Sequence, residues 1–199
     1  MSLEFRTLKF YADNAKEYAK RTPSSDFLER RSTFMAGLTP GAKILELGCG
    51  GGHDALAFIQ AGFDVTLLDG SPELAAITEK RTGHKVLVAD FSDINFKGDF
   101  DGIWASASLL HVPSKKLKAV LILVAKSLRK GGLLNASFKE GEGDWTDGFG
   151  HVFCGINSEK LIPILIETGF QVSEINTVDG FGSDMKPTRW IWVNAIKVG

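Results

Sequence analysis

From residue 42 onward the chain alternates short aliphatic runs with segments whose apolar residues recur every three or four positions. The runs AKILEL (42–47), FDVTLLD (63–69), HKVLVAD (84–90), FDGIWAS (100–106) and LLNASF (133–138) predict strands. Between the first two, HDALAFIQA predicts a helix closed by Gly62. Ser71 and Pro72 open a second helix that runs to Arg81 and ends at Gly83. In SKKLKAVLILVAKSLRKGG, Leu117, Leu121, Val124 and Leu128 share one helical face, and Lys115, Lys116 and Lys118 take others. Lys126, Arg129 and Lys130 crowd the end of that helix, where cations complement its dipole. Ser158 is predicted to cap SEKLIPILIET, with a kink or a later start at Pro163. FQVSEINTV (170–178) and RWIWVNAIKV (189–198) have no helical pattern between them, so they predict an antiparallel hairpin. The alternation as a whole predicts an α/β fold with a largely parallel sheet. One stretch, 139–157, is too long and glycine-rich for an ordinary connection and predicts a lid or binding loop.

The chemistry concentrates where the first strand ends. ILELGCGGGHDALAF (44–58) carries glycine at 48, 50, 51 and 52, with Glu46 just before. A strand, a bare-backbone turn and a helix N-terminus together build a nucleotide site. Glycine there permits positive φ and lets a ligand lie against the main chain. The second strand ends in Asp69, where a carboxylate suits a ribose diol. A dinucleotide fingerprint counted from Gly48 needs glycine at 53, and His53 stands there.

Composition narrows the classes. The 199 residues fit one domain, and a formal net charge of −1 gives no pull toward a phosphate backbone or an anionic membrane. Two cysteines, Cys49 and Cys154, cannot make a disulfide framework, and four dispersed histidines show no ligand spacing, so no metal is expected. No apolar stretch is long enough to span a membrane, and the charged N-terminus does not read as a signal peptide. These features together predict a cytoplasmic protein.

ILELGCGGG resembles motif I of the class I S-adenosylmethionine-dependent methyltransferases. Asp69, Asp90-Phe91 and FDGIWASASLLHVP resemble that family's later motifs, and the closing hairpin resembles its topological signature. The nearest groups are small-molecule enzymes, generic or tellurite-resistance-like. The resemblance implies a Rossmann-like doubly wound sheet of seven strands, mostly parallel, with a reversed C-terminal strand and helices on both faces. It implies a helical cap at 1–38, from YADNAKEYAKRTP, on a methyltransferase domain at 39–199. S-adenosylmethionine is the implied cofactor and S-adenosylhomocysteine the product. Carried over, the backbone at Gly48, Cys49, Gly50 and Gly52 faces the cofactor, and Glu46 lies beneath. Asp69 takes the ribose hydroxyls, Asp90 and Phe91 meet the adenine, and Ser106 lines the methionine end. Tyr11 closes from the cap. Gly70 departs from the bulkier residue usual there, which removes one apolar contact to the adenine.

Methyl transfer from a sulfonium needs chiefly positioning, and a base only where the acceptor arrives protonated. His111, just past the fourth strand, is the candidate base; it reads equally as a local packing group before Pro113. His151, Lys139, Arg189 and Trp145 are candidate substrate contacts, with Phe149 and Phe153 as further wall. Amino-methylating nucleic-acid enzymes carry Asn/Asp-Pro-Pro-aromatic after the fourth strand. Here that place holds Ala105-Ser106-Ala107-Ser108, so a small-molecule partner is expected and no nucleic acid. Two other readings compete: a non-enzymatic S-adenosylmethionine-binding protein and an NAD-dependent oxidoreductase.

Overall fold

The structure, a computed structural model, describes residues 3–20, 25–148, 150–182 and 185–199. Two helices, α1 (Leu3–Tyr18) and α2 (Ser25–Ala36), precede the first strand. The predicted alternation follows as β1 (Lys43–Leu47), α3 (His53–Gln60), β2 (Asp64–Asp69), α4 (Pro72–Thr82), β3 (Val86–Val88), β4 (Phe100–Ala105), α5 (Ser114–Ser127) and β5 (Leu128–Glu140). Then come β6 (Gly143–Thr146), β7 (Val152–Ile156), α6 (Ser158–Glu167), β8 (Phe170–Phe181) and β9 (Pro187–Lys197).

The strands lie in the order β3-β2-β1-β4-β5, all parallel. On the far edge of β5, β9 runs antiparallel from Leu133↔Ile196 to Lys139↔Trp190, and β8 pairs with β9. The order reverses direction at β1, so a crevice opens between the carboxyl ends of β1 and β4. Right-handed crossovers put α3 and α4 on one face of the sheet and α5 on the other. Trp104, wholly buried on β4, gathers Phe34 of α2 (ring centroids 5.2 Å), Phe58 of α3 (5.8 Å) and Trp192 of β9 (6.1 Å). This aromatic cluster, its rings tilted or edge-on to one another, fastens α2 and the reversed strand to the centre of the sheet.

Among the described residues the sheet has nine strands, two more than the seven expected. The extra pair is the 139–157 stretch, which folds as the hairpin β6–β7 instead of an irregular loop. It pairs with β5 at Lys139↔Gly155 and Glu140↔Ile156, on the edge that β4 leaves after Ala105↔Ala136. A Cβ on Gly155 would come within 2.5 Å of both the Gly143 carbonyl and the Trp145 ring, so the glycine at 155 serves close strand packing. Two boundaries also move. Arg129 and Lys130 begin β5, not the end of a helix, because α5 stops at Ser127. Asn157, not Ser158, caps α6: its side chain accepts from the Lys160 N–H, and the helix runs through Pro163. No described helix is long and apolar enough to cross a membrane.

Candidate active site

The backbone at the β1–α3 turn is pinned to the neighbouring strand. The N–H groups of Gly48 and Cys49 both donate to the Leu68 carbonyl, at 2.8 and 3.1 Å. Gly48 takes φ +73° and presses on the β4–α5 turn, where an added Cβ would sit 2.5 Å from the Ser108 Cβ. Asp69 then locks the corner. Its Oδ2 accepts from the Gly50 N–H and its Oδ1 from the Ser71 N–H, each at 2.8 Å. Thr78 of α4 donates to the Gly50 carbonyl at 2.7 Å. The corner that sequence placed beside Asp69 is therefore in direct contact with it.

A cleft with about 840 Å³ of empty space, its open mouth included, lies over this corner. Gly48, Gly50, Asp69, Gly70, Asp90 and Phe91 line it, and Ser106, His111 and Tyr11 complete the predicted set. Other predicted positions lie off the wall. Gly52 is buried, and its missing side chain makes room for Thr78, 2.8 Å from the ideal Cβ. Cys49 turns its side chain into the core. Glu46 lies buried beneath the corner. Asp90 caps the turn at 91–93 by accepting from the Ser92 N–H.

Helix α1 is the part of the cleft that sequence placed least well. Thr7, Leu8 and Tyr18 join Tyr11 on its wall. Leu8 approaches Gly70 so closely that a Cβ there would lie 2.7 Å from its Cδ2. The apolar bulk absent at position 70 thus comes from α1. The far end of α1 is tied down by Arg81, which donates to the carbonyls of Gly51 and Ala19, and by His53 beside the Ala19 carbonyl. A signal was present: Thr7, Tyr11 and Tyr18 share a helical face.

Beyond Tyr11 the candidates for substrate contact separate. His151 is 1% exposed; its Nδ1 lies 2.6 Å from Asp147 Oδ2 and its ring 3.8 Å from that of Phe10. Lys139 is buried with its Nζ 3.7 Å above the Phe153 ring. Trp145 stacks on Phe153 within the hairpin. Arg189 is exposed and paired with Glu140 (2.9 Å) and Asp179 (3.6 Å), away from the cleft. None of these four lines the cleft. Phe149 lies outside the described residues.

Burial dominates the electrostatics. It raises the carboxyl pKa of Asp69, against the lowering effect of its two backbone donors. Burial, with Asp54 and Asp69 nearby, raises Glu46 strongly, while Arg31 opposes. Asp54 is itself held by Arg31 at 2.8 Å and by the Trp104 indole N–H at 2.9 Å. The Cys49 thiol is pushed up first by burial, then by Glu46 and Asp69, which overrides the helix N-terminus. Burial pushes His111 down to about 4, so its ring is neutral near pH 7.

Could these residues hold an adenosyl group? Glu46 Oε2, on β1 two residues before the bare corner, is buried and has no hydrogen-bond partner among the described residues. Such an acceptor calls for a donor. Asp69 and Asp90 supply acceptors for hydroxyl and amino groups, and Leu8, Phe91, Val112 and Val120 supply apolar walls for a ring. The donor set fits an adenosyl amino acid. Among the described residues no group of three or more His, Cys, Asp and Glu could hold a metal ion.

Residues 44–132 match the family described as a methyltransferase domain. A ubiquinone biosynthesis O-methyltransferase of Xanthomonas campestris pv. campestris is 31% identical over 102 residues, 48% of this chain and 42% of that protein. Hemagglutinin 1 of Eikenella corrodens is 33% identical over 134 residues, 63% of this chain and 43% of that protein. The chain thus spans less than half the length of these curated relatives. A solved structure of Burkholderia thailandensis 1,6-didemethyltoxoflavin-N1-methyltransferase, with 1,6-didemethyltoxoflavin and S-adenosylhomocysteine bound, superposes with a TM-score of 0.78. It is 19% identical and covers 98% of this chain and 90% of that one, a likeness of fold.

Proposed function

We propose that this chain, whose residues 44–132 match a methyltransferase domain, is a class I methyltransferase that transfers the methyl group of S-adenosylmethionine to a small-molecule acceptor and releases S-adenosylhomocysteine. The observation that carries the reading is Asp69, buried at the cleft floor and bonded to the Gly50 N–H at 2.8 Å. That arrangement would present a carboxylate and a bare backbone to one shared ligand. The reversed strand β9 beside β5, together with His53 where a dinucleotide fingerprint needs glycine, favours this reading over a nicotinamide enzyme.

When bound, S-adenosylmethionine supplies an electrophilic methyl group open to in-line displacement. The chain's own part is to bind and orient. Asp69 would hold the ribose hydroxyls, Asp90 and Phe91 the adenine edge, and Gly48 and Ser106 the methionine end. Glu46 would receive a donor from the amino-acid group. Helix α1, read here as part of a helical cap spanning 1–38, would keep water from the transfer. Holding reactants in line can supply about 7–11 kcal/mol of the barrier reduction in favourable cases. A cleft with two acids on its wall suits a small acceptor better than a nucleic-acid strand.

The test is incubation with S-adenosylmethionine carrying a labelled methyl group in the presence of small-molecule extract. A product heavier by one CH₂ and carrying the label supports the reading. Cofactor binding without any labelled product favours a non-catalytic binding protein, and binding of NADH in place of S-adenosylhomocysteine favours the oxidoreductase.

A further inference from the structure

We propose that His111 and Tyr11 form a latch that holds helix α1 shut over the cleft, so that His111 positions Tyr11 and does not serve as the acceptor's base. The latch joins three elements far apart in sequence. Val152 of β7 is its anchor. The Val152 N–H donates to Thr7 Oγ1 of α1 at 2.9 Å, and the Val152 carbonyl lies 2.7 Å from His111 Nδ1. A carbonyl only accepts, so Nδ1 must carry the proton. Nε2 of the neutral ring is then bare, and the Tyr11 hydroxyl, 2.9 Å away, donates to it. Thr7 and Tyr11 stand one turn apart on the same face of α1. One face of the helix is thus held twice by a single residue of the hairpin, once directly and once through the imidazole.

The surroundings keep the ring in that form. His111 faces Tyr11 of α1, His151 and Asp147 of the hairpin segment, and Lys139 of β5. Burial, His151 and Lys139 disfavour the imidazolium, against the Val152 carbonyl and Asp147. An imidazolium would turn Nε2 into a donor and reverse this bond, with the Tyr11 oxygen accepting. Base and latch are therefore exclusive uses of one lone pair. In this latch the hairpin β6–β7, within the stretch expected from sequence as a lid or binding loop, is the post to which α1 is fastened.

This inference rests on the proposed function only for what the cleft holds; the latch is testable without ligand. Hydrogen exchange of the α1 amides would be followed in wild type, Tyr11→Phe, His111→Phe and the double variant. Each single change deletes the shared hydrogen bond while keeping an aromatic ring. Each should speed α1 exchange about three- to tenfold, and the double variant should fall short of the product of the two, since the bond they share is lost once while His111→Phe alone gives up the Val152 contact. Thr7→Val, which leaves His111 and Tyr11 intact, should loosen α1 by a similar factor and covers the case that a ring variant fails to fold. S-adenosylhomocysteine affinity should fall with α1 protection, while the pH profile of turnover in Tyr11→Phe and His111→Phe keeps the wild-type shape. Unchanged α1 exchange in folded variants would overturn the latch. So would multiplying effects in the double variant, or an ionisation in the wild-type rate profile that His111→Phe alone removes. Failure of wild type to bind S-adenosylhomocysteine would strike the proposed function and leave the exchange data to judge the latch.

Discussion

Gly48 and Gly62 share a backbone conformation and differ in surroundings, which makes them a controlled pair. Their φ values are +73° and +83°. An added Cβ meets nothing within 4 Å at Gly62, but at Gly48 it lies 2.5 Å from the Ser108 Cβ. Gly62→Ala should therefore cost only the left-handed strain of a non-glycine residue, about 1–2 kcal/mol. Gly48→Ala carries the same strain plus overpacking of about 1–3 kcal/mol, so about 2–5 kcal/mol altogether. Its backbone cannot easily retreat, because the Gly48 N–H is committed to the Leu68 carbonyl. A corner pushed off its place also misaligns the Gly50 N–H with Asp69. If one charge-assisted hydrogen bond to the cofactor is lost, at about 1.5–3 kcal/mol, affinity drops roughly 10- to 150-fold. Urea unfolding and calorimetric titration with S-adenosylhomocysteine read the two effects separately. Adding Ser108→Gly to Gly48→Ala should recover part of the stability by removing the clash. Equal destabilisation of the two alanine variants, or a Gly48→Ala protein that binds as wild type does, would refute the reasoning.

Two further outcomes follow from the buried titratable groups. His111, pushed down to about 4 against an ordinary 6.5, should show no ring protonation by NMR between pH 8 and 5.5. Because its pKa is depressed, its stabilising contribution is complete above about pH 6.5 and is lost as pH falls toward 4; an NMR midpoint near 6.5 would contradict this. Both cysteines are buried, with Cys49 raised far above its usual value and Cys154 raised to about 11. A thiol reagent at pH 8 should find neither in minutes while the protein is folded and both after unfolding, whereas a fast native thiol would show that the corner opens.

Much of the fold was legible because its signals are local. Aliphatic runs bounded by glycine and polar residues marked β1 to β5, and Ser71, Pro72 and Gly83 bracketed α4 as capping chemistry requires. The glycine corner and Asp69 could be paired on sequence because adjacent parallel strands bring their carboxyl ends together. What escaped depends on contacts distant in sequence. The hairpin β6–β7 was hidden because its glycines read as loop, although Gly141 and Gly155 lie against the Trp145 ring. The start of β5 at Leu128 was masked because Leu128 continues the helical spacing of Leu117, Leu121 and Val124. Leu8 filling the space above Gly70 and Val152 bridging His111 to Thr7 are tertiary matches that no local pattern encodes. Arg189 was a candidate substrate contact as a cation near a strand end; its end of β9 reaches to Glu140 and Asp179, and it does not line the cleft.

The central claim is that Asp69 and the glycine corner hold one adenosyl ligand between them. The most direct measurement is calorimetric titration of S-adenosylhomocysteine into wild type and Asp69→Asn, with thermal melts to verify folding. The variant keeps one acceptor oxygen for the Gly50 or Ser71 N–H and loses the charge. One-site binding by wild type, weakened roughly tenfold or more in Asp69→Asn, is the predicted result. No binding by wild type, or the same affinity in both proteins, would contradict it.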